Sequence, residues 1–80
     1  MVYSRLQIEG GKEKTVTTYN LQVVKNALLK GKTCWLMTFN TKNIYNEPYM
    51  DLKLSLSVID NFKKIHLELI NETKKFIETL

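Results

Sequence analysis

Few side chains in this chain are suited to nucleophilic or acid–base work, and their spacing keeps them apart. A nucleophile–base–orienter arrangement usually takes its base from histidine, and the chain has one, His66. It falls within the apolar stripe of the C-terminal segment, where it reads as a packed or interface residue. Zinc needs about four Cys, His or carboxylate ligands, and one cysteine, Cys34, far from one histidine does not make that set. Glu47, Asp51 and Asp60 have no spacing that pairs two carboxylates as acid and base. Gly10-Gly11 is too short to cradle a phosphate, and there is no Walker or dinucleotide fingerprint. The expectation is a protein that is not an enzyme and takes no metal and no cofactor.

Binding chemistry is better represented. Net charge is +4 over 80 residues, and it is unevenly spread. Residues 1–46 carry one arginine and six lysines against two acids, a net +5, while residues 47–80 carry five lysines against six acids. A cationic front half can attract a polyanion. Aromatic residues interleave with the cations there, and single-stranded nucleic acids are held by cations along the phosphates and by aromatic faces under the bases. The residues expected to do this are Arg5, Lys12, Lys14, Lys30, Lys32 and Lys42 for phosphates, with Tyr3, Tyr45 and Tyr49 for stacking. Trp35 and Phe39 share a strand face with Met37 and are expected in the core.

These residues need a scaffold. Eighty residues support one hydrophobic core and one domain. A lone cysteine rules out an internal disulfide, the opening residues lack a signal-peptide pattern, and no apolar run approaches the length of a membrane span. The cytoplasm is the expected location.

From Val58 onward, apolar residues recur in steps of one, three and four through Phe62, Ile65, Leu69, Ile70, Phe76, Ile77 and Leu80. That periodicity predicts a helix over about 58–79, opened by Ser57 with Asp60 in a capping-box position. Met50, Leu52, Leu54 and Leu56 alternate with Asp51, Lys53, Ser55 and Ser57, and Thr33–Asn40 alternates likewise, so these two strands should form a hairpin across the turn formers of 41–48. Val2, Leu6 and Ile8 mark a first strand, and Thr15–Tyr19 a second after Gly10-Gly11-Lys12. In 21–30 two patterns overlap. Leu21, Val24 and Leu28 are helically spaced between Asn20 and Gly31, yet Tyr19, Leu21 and Val23 alternate. We expect a short helix over 24–30 after an extended strand. The resulting fold is α+β, a four-stranded antiparallel sheet covered on one face by a long C-terminal helix.

Lys30-Gly31-Lys32 leading into an alternating strand, and Leu54-Ser55-Leu56-Ser57 leading into Val58-Ile59-Asp60-Asn61-Phe62, resemble the corresponding segments of positive-cofactor-type single-stranded-DNA-binding transcriptional coactivators. The likeness covers about residues 15–72. It implies four strands followed by a helix, single-stranded DNA as ligand and dimerisation through the helix. In place of the basic Gly/Lys run that usually precedes that family's last strand stands Pro48-Tyr49-Met50-Asp51.

Self-association is also expected on geometry. Twenty-two helical residues span about 33 Å, whereas a seven-residue strand spans about 23 Å. The stripe therefore outruns the sheet, and its Phe76, Ile77 and Leu80, with Leu67 on the otherwise charged face, are the expected homodimer interface, the alternative being that the helix tail folds over 24–30. The alternative function is a protein-interaction module, an adaptor or inhibitor of a larger partner.

Overall fold

The computed structural model describes residues 1–10, 16–41 and 48–79. In chain order the elements are β1 (Val2–Glu9), β2 (Val16–Thr18), α1 (Leu21–Leu29), β3 (Thr33–Asn40), β4 (Met50–Lys53), α2 (Leu56–Asp60) and α3 (Phe62–Glu78). The strands form one sheet in the order β2-β1-β3-β4, with every neighbouring pair antiparallel. β1 and β3 are the central pair and match over their full length, from Val2 opposite Asn40 to Glu9 opposite Thr33. The α+β class, the four-stranded antiparallel sheet and the long C-terminal helix are those expected from the sequence.

Residues 21–29 are helical throughout. The Asn20 side chain accepts a hydrogen bond from the Gln22 amide at 2.9 Å, so the helix is capped three residues earlier than the expected start. Leu21 therefore does not extend β2, which ends at Thr18. The alternating set is exposed at Tyr19 and Val23, whereas the helically spaced Val24 and Ala27 are buried. At the other end the Gly31 amide reaches the Leu28 carbonyl and the Lys32 amide reaches that of Ala27, both at 3.0 Å. This crossed pair of bonds needs a left-handed residue, and Gly31 supplies it with φ +81°.

The C-terminal helix is two helices. Ser55 accepts from the Val58 amide at 3.4 Å and caps α2, so helix begins at Leu56 and not at Val58, and Ser57 does not cap it. The backbone breaks at Asn61 (φ −113°, ψ 24°) before α3 continues. As a result β4 stops at Lys53, and Leu56 is a half-exposed helical residue where the alternation placed it on the strand's apolar side. Leu54 remains in the core, held by its amide on the Cys34 carbonyl at 2.8 Å.

The core joins Leu6 and Ile8 of β1, Cys34 and Leu36 of β3, and Leu54 to Val24 and Ala27 of α1, flanked by Val58, Ile59, Phe62 and Leu69. Burying each large apolar side chain contributes about 1.5–3 kcal/mol. All three helices thus cover the sheet face that carries Leu6, Ile8, Cys34 and Leu36. The side of β3 facing the helices is thus opposite to the expected one, although Phe39 is itself buried as expected. Trp35, Met37 and Phe39 point away from the helices, because Cys34, Leu36 and Thr38 between them are the residues packed against α1 and α3.

Two polar contacts tie α3 to the covered face. Thr38 and Thr73 are both fully buried, with their hydroxyl oxygens 2.8 Å apart. Thr73 donates its proton to the Leu69 carbonyl, so Thr38 is the donor to Thr73. His66 packs against Phe62 and meets the Ser4 hydroxyl through Nε2 at 2.6 Å. Its placement on the packed side of the helix agrees with the stripe.

Candidate nucleic-acid interface

Because side chains alternate across a sheet, the register assigns the helix-free face residue by residue. β1 contributes Tyr3, Arg5, Gln7 and Glu9; β3 contributes Trp35, Met37 and Phe39; β4 contributes Asp51 and Lys53. Tyr3 lies directly opposite Phe39, and the rings stack at 5.4 Å with 20° between planes. The Arg5 guanidinium lies 4.4 Å from the centroid of the Phe39 ring. Phe39, contacted by Tyr3 and Arg5, is only 1% exposed. Arg5 Nε is shielded from water and takes no hydrogen bond among the described residues. Its attraction to the ring face is what offsets that desolvation.

The other end of the face is built around Trp35, which is partly exposed. Its indole N–H donates to Glu9 at 2.8 Å, fixing the ring plane, and Lys53 lies directly across on β4. Arg5 and Lys53 are balanced by Glu9 and Asp51 on the same face. The described part of this face is therefore an aromatic and charge-neutral surface, not a cationic one.

Of the residues expected to bind nucleic acid, the structure brings together Tyr3 and Arg5. Lys30 and Lys32 are exposed at the turn between α1 and β3, beside a depression of about 300 Å³ lined by Ile8, Val23, Asn26 and Ala27. That turn and Phe39 lie at opposite ends of β3, about 20 Å apart. Tyr49 is turned to the helical side, with its ring edge-on to Phe76 at 6.2 Å and its amide on the Thr38 carbonyl. Lys12, Lys14, Lys42 and Tyr45 lie outside the described residues. Sequence reasoning missed Trp35, Met37 and Lys53 as surface groups. The available signal was the polar side of β4: Asp51 and Lys53 must share a face with whichever residues of β3 point outward.

Of the expected dimer residues, Leu67 is 62% exposed and Phe76 44%, while Ile77 is half-buried. Leu80 lies outside the described residues. Leu67 borders an apolar groove of about 520 Å³ with Leu21, Phe62, Lys63, His66 and Ile70.

Cys34 is a free, fully buried thiol. Burial, with a smaller contribution from Glu9 that outweighs the opposing Lys32, pushes its pKa up. Among the described residues no group of three or more His, Cys, Asp or Glu side chains is placed to hold a metal ion, and no helix is long and apolar enough to cross a membrane. No protein-family model matches the chain, and no curated protein or solved structure matches it significantly.

Proposed function

We propose that this chain is a small non-enzymatic binding protein of the cytoplasm that acts as a homodimer and holds single-stranded nucleic acid on the helix-free face of its sheet. The observation that carries the reading is the line of Tyr3, Arg5, Phe39 and Trp35 across the two central strands, on the one sheet face that no helix covers. Trp35, held in plane by Glu9, is the stacking platform, since every base offers a π-face to an aromatic ring. Arg5, whose guanidinium lies on Phe39, contacts the phosphates. Lys12, Lys14 and Lys42 supply the remaining positive charge from the segments that join the strands. The likeness to the single-stranded-DNA-binding coactivators points the same way.

A salt titration of oligonucleotide binding tests this, with indole fluorescence as readout. Bound phosphates displace counterions, so affinity should fall with salt with a slope that counts the cations engaged. Absence of binding to any single-stranded oligonucleotide at about 50 mM salt ends the reading.

The protein-interaction alternative has one specific observation behind it, the apolar groove beside the exposed Leu67. The two readings separate cleanly. Leu67→Asp should leave oligonucleotide affinity unchanged if the sheet face is the site, and Trp35→Ala should leave protein association unchanged if the groove is.

A further inference from the structure

β4 is an edge strand, and no described strand pairs with its outer side. The Leu54 amide donates to the Cys34 carbonyl, so it flanks the Trp35–Lys53 pair and marks that pair as a non-hydrogen-bonded one. In an antiparallel ladder this turns the backbone N–H and C=O of Lys53 outward, and alternation turns those of Asp51 outward too. The exposed edge therefore offers two donors and two acceptors, on two residues of opposite charge.

We propose that a second copy of this chain pairs with this edge, β4 against β4 and antiparallel, about a two-fold axis through Leu52. The inference rests on the homodimer reading above and names its surface. In this register Asp51 faces Lys53 of the partner subunit, Lys53 faces Asp51 of the partner subunit, and the outward backbone groups of both residues form the hydrogen-bonded pairs. The charges select the register. Moving the axis to Asp51 or to Lys53 sets two like charges directly opposite, which is destabilising. An isologous contact requires such self-complementarity, and the Asp-Leu-Lys order provides it. Charged residues on an edge often serve only to block pairing, but a block does not require opposite signs two residues apart.

A second observation fits the same axis. Tyr49, just before β4, holds Phe76 beside the N-terminal end of the strand, and Leu56 lies just beyond its C-terminal end. Both are exposed large apolar residues, at 44% and 41%. A two-fold axis at Leu52 sets each N-terminal end against the partner's C-terminal end, so the Phe76 end of one copy approaches the Leu56 end of the other. The two sheets become one of eight strands. Its helix-free faces are continuous, and the two β3 strands lie about 14 Å apart.

Sedimentation equilibrium of the full chain and of charge-swapped variants tests the seam. Asp51→Lys and Lys53→Asp each place like charges opposite one another twice, and each should weaken self-association about tenfold or more. Both positions are exposed, and unchanged circular dichroism would establish that the variants fold. Mixing the two single variants should restore association as a heterodimer, and the double swap should restore it as a homodimer. A wild-type chain that stays monomeric at every concentration overturns both this seam and the homodimer reading. A wild-type dimer indifferent to the swaps but broken by Leu67→Asp overturns the seam alone.

Discussion

Trp35 and Phe39 occupy the same strand face yet behave differently as residues. Phe39 is fully buried and contacted by Tyr3 and Arg5, whereas Trp35, opposite Lys53, is only partly buried. The difference predicts different losses. Trp35→Ala should weaken oligonucleotide binding by about 1–3 kcal/mol with little effect on folding. Phe39→Ala should instead cost about 3–5 kcal/mol of stability, measured by urea denaturation. The buried Thr38–Thr73 pair makes a sharper point. Thr73→Val removes the acceptor of the Thr38 hydroxyl and should cost about 1–3 kcal/mol, and adding Thr38→Val should recover part of that loss because no buried donor is then stranded. Cys34 links stability to pH. Its pKa is raised in the folded chain, so above the ordinary thiol range, about 8.5, the unfolded chain loses the proton first and binds fewer protons than the folded one. Stability from this group is complete below about pH 8 and should fall as pH rises beyond it. Cys34→Ala should flatten that part of the denaturation profile.

At the scale of elements, boundaries were decided by single hydrogen bonds. The existence of the strands and of the C-terminal helix was legible from periods of two and of 3.6, because those patterns record which side of an element is buried. Where elements begin was not, since Ser55 and Ser57 are equally good caps in a string of letters, and it is Ser55, following Leu54 whose amide bonds the Cys34 carbonyl, that caps the helix. Asn20 and Gly31 were legible as punctuation for α1, and both act as such. Asn20→Ala should lower stability by about 1 kcal/mol. Gly31→Ala meets no atom within 4 Å, so its cost is conformational alone, about 1–2 kcal/mol from the left-handed backbone. Thermal denaturation checks both.

For the whole molecule, the front-half positive charge and the aromatic face do not coincide among the described residues. Lys30 and Lys32 sit at one end of β3, and the acids Glu9 and Asp51 neutralise Arg5 and Lys53 on the open face. On the proposed reading, the salt slope of oligonucleotide binding should come chiefly from Lys12, Lys14 and Lys42. Replacing those three by Gln should flatten it, while Lys30→Gln with Lys32→Gln should change it little. If the chain dimerises, its melting temperature should rise with protein concentration, because association stabilises by mass action. Composition, the hydrophobic periods and the turn residues were enough to determine an α+β chain with a four-stranded sheet and a C-terminal helix, since these are local consequences of side-chain size and backbone preference. Which face of β3 the helices cover was decided by the packing of Val24, Ala27 and Thr73 with Cys34, Leu36 and Thr38, and the outward turn of Trp35 follows from it. Those are contacts between residues far apart in the chain, and only the folded arrangement decides them.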